Sequence, residues 1–325
     1  MVTQFADESV SLKAQVTQDH AGHRIDQVAA RLFPDYSRAR LQTWMKTGEL
    51  TINGERCKPK DLAFAGAWLV LEAKLRALEN WGAEKISLSI VHEDEDLLII
   101  NKQAGLVVHP AAGHRQGTLV NGLLYHCPAL ESLPRAGVVH RLDKDTTGLM
   151  VVAKNLRSHH ALTKQLQSRS VSRQYEAIVQ GVMTAGGTVS APMARHPVHR
   201  IKRAVSANGQ DAITHYRVVR RYPAHTHIRV NLETGRTHQI RVHMAYLKYP
   251  IVGDPLYGGR YRVPKNCGTE LSNLLDTFRR QALHASELKL LHPASKLECK
   301  WEARLPEDFY GLLNLLHRDV GEEQA

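Results

Sequence analysis

The chain has 325 residues, enough for one large domain and a small one, and carries a formal net charge of +11. The excess is uneven: Lys154 to Arg262 hold 18 Lys or Arg against 4 Asp or Glu, which points to a polyanionic partner, because neutralised phosphates release counterions. Four scattered cysteines (Cys57, Cys127, Cys267, Cys299) with no C-x-x-C spacing argue against a disulfide scaffold or a zinc knuckle and fit a reducing cytosol. No N-terminal segment reads as a signal peptide and no run approaches the roughly 20 apolar residues that span a bilayer, so a cytoplasmic protein with no membrane partner is expected.

In chain order, residues 1 to 19 show no strong periodicity and read as a mobile or weakly paired N-terminal arm. Residues 20 to 73 form a compact unit. Ile25, Val28, Ala29 and Leu32 mark one face of a helix that Pro34 breaks. Ser37 stands in an N-cap position before a second helix carrying Arg38, Arg40, Leu41, Trp44, Met45 and Lys46, which Gly48 ends. Leu50-Thr51-Ile52 followed by Asn53-Gly54 reads as a strand entering a tight hairpin, with Trp68 to Leu71 returning. Residues 74 to 89 are polar and mixed, a linker.

The larger domain spans 90 to 325. Leu97 to Ile100 is a continuous apolar run of buried-strand type, and Thr118 caps a short helix through Tyr125. Ser158 to Gln167 reads as a helix with Ala161, Leu162 and Leu166 inward. Strands are expected near Tyr175 to Val179, Ile213 to Val219, Thr226 to Leu232 and Leu288 to Leu291. Arg236 to Leu247 looks helical, closed by Pro250, and a C-terminal helix lies near Phe309 to His317. Many strands with occasional helices predict an α+β fold with a mixed, largely antiparallel central sheet, not a doubly wound parallel one.

Candidate chemistry centres on His140 to Lys154, HRLDKDTTGLMVVAK. Asp143 stands at the mouth of a buried strand between cations, an arrangement that favours the charged carboxylate and suits nucleophilic or ion-pairing work. An Asp-rich turn with surface ion pairs is the plainer reading of the same residues. Spacing alone does not choose between Asp143 and Asp145, since residues two apart in an extended segment share a face. Nineteen histidines invite a metal, but His196, His199, His225, His227, His238 and His243 lack HExxH spacing and flanking acidic ligands. Neither a P-loop nor a G-x-G-x-x-G turn occurs. No metal and no cofactor are expected.

Four blocks in order, PRAGVVHRLDKDTTGLMVVAK (Pro134 to Lys154), SRQYEAIVQG (Ser172 to Gly181), LETGRTHQIRVHMA (Leu232 to Ala245) and DPLYGG (Asp254 to Gly259), resemble the RNA pseudouridine synthases, in the branch that includes the ribosomal large-subunit enzymes. The resemblance implies that Asp143 is catalytic, that Tyr175 stacks on the target base and takes part in removing its ring proton, and that Arg241 is the ion-pair partner of Asp143. It implies that Ile240 walls the base pocket and that Arg141 enters the base stack vacated by the flipped uridine. His140 either hydrogen-bonds RNA or fixes the turn, Arg236 is a backbone-phosphate contact, and Asp145 serves a turn or cap. The N-terminal unit resembles the S4 RNA-binding domain, with Arg38, Arg40, Lys46 and Lys58 as phosphate contacts. One departure is Gln103, where the family has Pro after its first catalytic-domain strand; it removes stiffness from a turn and no chemical group. The expected partner is large-subunit ribosomal RNA at clustered uridines in a stem-loop, or within pre-ribosomal particles, bound by a monomer. The other readings are a non-catalytic RNA-binding assembly factor and a synthase of the same family acting on other RNA sites.

Overall fold

The computed structural model describes residues 9–34, 36, 38–74, 81–110, 115–259, 264 and 267–322. The N-terminal unit comprises β1 (Ser9–Gln15), α1 (Ile25–Leu32), α2 (Arg38–Thr47), β2 (Leu50–Ile52), β3 (Glu55–Arg56) and β4 (Trp68–Lys74), with the strands ordered β1-β4-β2-β3 in one antiparallel sheet. Of the segment read as a mobile or weakly paired arm, residues 9–15 form a strand: β1 pairs with β4 along its whole length, Leu12 opposite Leu71. The expected hairpin is present, with Asn53 and Gly54 both at positive φ (51° and 84°), as a tight turn between right-twisted strands demands. Val28, Ala29, Leu41, Met45, Leu50, Leu69 and Leu71 fill the core between helices and sheet. The N-cap expected at Ser37 lies outside the described residues.

The segment read as a linker is also partly structured. Trp81, Ile86 and Leu88 pack on the core of the larger domain, and Asn121 Nδ2 donates to the Gly82 carbonyl at 2.7 Å. The larger domain follows as β5 (Ile90–Glu93), β6 (Leu97–Lys102), α3 (Leu119–His126), β7 (Thr147–Ala153), α4 (Leu156–Gln167) and β8 (Ser172–Gln180). Next come β9 (Gly187–Ser190), β10 (Met193–Arg195), β11 (Arg203–Val205), β12 (Ile213–Arg221), β13 (His225–Leu232) and α5 (Gln239–Tyr246). The chain ends with α6 (Thr269–Thr277), β14 (Leu283–Leu291), β15 (Glu298–Glu302) and α7 (Glu307–Glu322). Thr118 caps α3 in a capping box with Asn121, as its position predicts.

Nine strands form one sheet in the order β5-β6-β7-β14-β8-β13-β12-β9, with β15 also pairing β14; only the β7–β14 pair is parallel. This is the mixed, largely antiparallel sheet that the sequence predicts. The apolar run at β6 is buried on both faces. Leu98 and Ile100 join the larger core, while Leu97 and Ile99 pack with Leu162 of α4 on the other side.

The parallel junction positions the site. Thr147 and Gly148 pair with His284 and Ala285, and Gly148 adopts φ +113° where a Cβ would sit 2.2 Å from the Ala285 carbonyl. Only glycine permits that approach, so the start of β7, and the turn bearing Asp143, is held at the middle of the sheet. The helix expected over Arg236 to Leu247 begins three residues late. His238 takes a left-handed conformation (φ 60°), and the Gln239 side chain accepts the Arg236 N–H at 3.0 Å, which fixes a loop there instead.

Candidate active site

Asp143 sits in a turn closed by Thr146 N–H donating to its carbonyl at 3.1 Å, so it and Asp145 do not share the face of an extended segment. Both flanks of the turn are pinned. His140 Nε2 accepts the Val151 N–H at 3.1 Å, Thr146 Oγ1 accepts from Gln281 Nε2 at 2.9 Å, and Thr147 Oγ1 meets His284 Nδ1 at 2.8 Å. Beneath it, the buried Lys102 ammonium donates to the carbonyls of Gln103, Leu106 and Lys144 at 2.8, 3.0 and 2.8 Å. Burial pushes that lysine down to about 8, with Asp145 and Asp143 opposing the shift. Its bond to the Gln103 carbonyl anchors the backbone at the position where the family Pro is replaced.

The Asp143 side chain is 19% exposed and its Oδ2 accepts from Arg241 Nη1 at 2.9 Å. Arg241, on α5 and nearly inaccessible, spends its other donors on Asp254: Nε to Oδ2 at 2.7 Å and Nη2 to Oδ1 at 2.8 Å. Asp254 is fully buried and also accepts the N–H groups of Leu256 and Tyr257. Desolvation alone would lower the guanidinium's pKa; the charge and hydrogen bonds of Asp254 and Asp143 outweigh it and raise it. Asp143 Oδ1 makes no hydrogen bond among the described residues, and the residue lines the cavity of the site.

His238 Nε2 stands 3.8 Å from Asp143 Oδ1, beyond hydrogen-bond reach. Its Nδ1 meets the Tyr257 hydroxyl at 2.8 Å, and that hydroxyl accepts the Arg203 N–H at 2.8 Å. If the hydroxyl donates to Nδ1, the neutral ring carries its own proton on Nε2, toward Asp143. Burial lowers the His238 pKa, which favours that neutral ring.

These groups open onto a cavity of about 590 Å³, within the range for small-molecule and nucleotide sites. Tyr175 (β8) and Ile240 (α5) are buried in its lining, as are Leu142 and Leu283. Burial raises the Tyr175 pKa, so its hydroxyl keeps its proton at neutral pH. Six arginines (Arg135, Arg141, Arg169, Arg173, Arg236, Arg241) face two carboxylates (Asp143, Glu233) around it, a setting for a polyanion. Arg141 is exposed at the rim, and exposed Arg236 donates from Nε to the Asp211 carbonyl at 3.1 Å.

The site thus gathers Asp143, Tyr175, Arg241, Ile240, Arg141, Arg236 and His140 around one cavity. Of the two roles open for His140, the geometry supplies the turn contact; burial pulls its pKa down to about 3. The N-terminal cations divide differently. Arg40 is only 5% exposed, its guanidinium 4.7 Å over the Trp44 ring, so it is an internal residue and not the surface phosphate contact expected of it. Arg38 is half exposed but donates from Nε and Nη2 to the buried Asp26, which also binds Arg24 and Gln42. Lys46 and Lys58 are exposed. Asp254, Tyr257, Lys102 and Arg173 carry no site role in the sequence reading, and His238 is weighed there only as a metal ligand and rejected. The spacing of Asp254 from Arg241 carries no periodic signal, and a lone Lys ending an apolar strand reads as its solvated end. Away from the cavity, Asp94, Asp96 and His292 bring possible ligand atoms within 4.8 Å of one another. Asp96 there already accepts from Asn155, Ser158 and Arg157.

A carboxylate clamped by a guanidinium beside a tyrosine, in a basic cavity, fits an enzyme that acts on a polyanionic substrate. Residues 96–246 match the RNA pseudouridylate synthase family and residues 23–63 match the S4 domain. The chain is 57% identical over 312 residues to ribosomal large subunit pseudouridine synthase D of Pseudomonas aeruginosa, covering 96% of this chain and 98% of that one. It is 47% identical over 318 residues to the protein of the same name from Escherichia coli K12, covering 98% of each. Among solved structures, human RNA pseudouridylate synthase domain containing 4 superposes with a TM-score of 0.56 at 29% identity, over 70% of this chain and 93% of that one. The chain belongs to the RNA pseudouridine synthase family and is an isomerase with an S4 domain at its N-terminal end.

Proposed function

We propose that the chain converts uridines of large-subunit ribosomal RNA to pseudouridine, as the names of its relatives state for those proteins, that its targets are clustered in a stem-loop, and that Asp143 performs the chemistry. The reaction breaks the bond from the ribose C1′ to uracil N1, turns the base, and joins C1′ to C5, from which the ring proton leaves. The supporting observation is Asp143 itself: it lines the cavity, and Arg241 holds its Oδ2 while no hydrogen bond among the described residues engages Oδ1, which leaves that oxygen available to act on a sugar. That oxygen either attacks C1′, as glycosidase carboxylates do, or takes the C2′ proton to give a glycal; the same clamp serves both routes.

Tyr175 and Ile240 would hold the everted uracil between them, and the Tyr175 hydroxyl would assist loss of the C5 proton. Arg141, at the rim, would fill the vacated stack, its planar cation offsetting part of the few kcal/mol of unstacking. Arg236 would contact the backbone, and Lys46 with the S4 domain would fix orientation across an RNA groove. The enzyme would work as a monomer in the cytoplasm; no helix of the described residues is long and apolar enough to cross a membrane.

The test is tritium release from an unmodified large-subunit RNA transcript carrying [5-³H]uridine. Asp143→Asn should release none while binding the transcript as the native chain does. Undiminished release would remove Asp143 from the mechanism. Transcript binding by the native chain with no release would leave a non-catalytic assembly factor as the reading.

A further inference from the structure

Arg173 is a cation in the cavity with no anion of its own. It stands two residues before Tyr175 on β8, so both side chains leave the same face of the strand, roughly 7 Å apart along it. The residue is 8% exposed and, among the described residues, its buried Nε makes no hydrogen bond and only Nη2 reaches an acceptor, the Glu233 carbonyl, at a long 3.5 Å. The two carboxylates of the cavity are engaged elsewhere, Asp143 with Arg241 and Glu233 with Arg169 and His215. No carboxylate of the described residues forms an ion pair with Arg173. A guanidinium cannot shed its charge, so a dry one without a counter-ion is a cost that the free protein carries. Gly235 lies close beside it: a Cβ there would come 2.6 Å from Arg173 Nη1.

We propose that Arg173 binds a phosphodiester of the RNA strand beside the everted uridine. Two phosphate oxygens can take the Nη1 and Nη2 end of the guanidinium, Nε being inaccessible, in a two-point contact and supply the missing negative charge. A uracil carbonyl offers no net charge and would leave the cation uncompensated. The inference rests on the RNA-isomerase reading and adds to it a named anchor for the strand, separate from the groups that act on the sugar.

The experiment measures binding of the unmodified large-subunit RNA transcript from 50 to 300 mM KCl for the native chain, Arg173→Met and Arg173→Lys. Loss of one phosphate contact should flatten the slope of log K against log[KCl] by about 0.7 to 0.9 in Arg173→Met. Arg173→Lys, which keeps the charge and loses the two-point fit, should keep the native slope. Because Arg173→Met removes an uncompensated charge, its melting temperature should equal or exceed the native one. A native slope in Arg173→Met, or a melting temperature several degrees lower, would overturn the proposal. Tritium release by the native chain is read in parallel; its absence would count against the isomerase reading and leave the salt slope to judge Arg173.

Discussion

Asp254 holds Arg241 at two points, Oδ2 on Nε at 2.7 Å and Oδ1 on Nη2 at 2.8 Å, with its own side chain wholly inaccessible to solvent. That grip leaves Nη1 as the donor aimed at Asp143, so Asp254 decides where the Asp143 carboxylate is held. In Asp254→Asn one of the two contacts becomes N–H against N–H, and the guanidinium can tilt. A displacement of about 1 Å is worth about 100-fold in rate, so kcat should fall about that much while KM for RNA changes little. Uncoupling a buried pair should also cost about 3 kcal/mol of stability. Steady-state tritium release and urea melts read the two effects; a change in KM alone would make Asp254 an RNA contact instead.

Lys102 supports the same carboxylate from below. Its ammonium satisfies three carbonyls, one of them on Lys144, the neighbour of Asp143. Lys102→Met matches the volume but strands those acceptors, at about 1 to 3 kcal/mol each before relaxation. A loss of about 3 kcal/mol in denaturant melts is expected, with a drop in kcat at unchanged transcript affinity. Full activity with lowered stability would confine Lys102 to the fold.

Buried histidines should make the larger domain sensitive to acid. Burial lowers His284 and His225 to about 4, and both are almost fully enclosed. An unfolded histidine titrates near 6.5. Between about 6.5 and 4 the unfolded chain binds protons that the folded chain refuses, so stability falls as pH falls, by up to about 1.4 kcal/mol per pH unit for each residue. Above 6.5 the contribution is fully present. Asp26 behaves differently. Burial works against it, yet bonds from Arg24, Arg38 and Gln42 hold it at about 2, so its contribution lasts to the carboxylate range and is lost only from 3.8 down to about 2. Melting temperatures at pH 7.5 and 5.0 check this. His284→Gln, with a side chain that does not titrate, should narrow the difference between them, and an equal difference would exclude His284 as a contributor.

How far the sequence could be read follows from the range of the signals. Leu97 to Ile100 and the Thr118 cap are local patterns, and both appear where the residues place them. Val10, Leu12, Ala14 and Val16 alternate with Ser11, Lys13 and Gln15, a period-two signal too short and mildly apolar to stand out without the partner strand β4. At the site, Asp143, Tyr175 and Arg241 were legible because motif residues carry their own context. Asp254 and Arg173 lie inside two of the four motif blocks, but their roles are not legible there, because each takes its meaning from a group distant in sequence or from the lack of one. The start of α5 was misread because helix propensity continues through Arg236 and Thr237, whereas Gln239 bonds the Arg236 N–H and turns the chain at His238. That conflict is settled by tertiary contacts, not by propensity.

Arg40 and Lys46 lie on the same short helix and should separate fold from RNA contact in the S4 domain. Arg40 is enclosed over Trp44 and burial lowers its pKa, whereas Lys46 is exposed. The stem of a buried arginine packs like a hydrophobe and its head stacks on the ring, worth about 2 kcal/mol or more when desolvated. Arg40→Ala should therefore lower the melting temperature by several degrees, whereas Arg40→Met, which refills the stem, should recover most of it and bind the transcript within about twofold of the native chain. Lys46→Ala should melt normally but bind more weakly, with the salt slope reduced by about 0.7 to 0.9 for the one lost phosphate. A reduced slope in Arg40→Met would show that this guanidinium reaches RNA after all, through an opening of the helix that the enclosed position does not display.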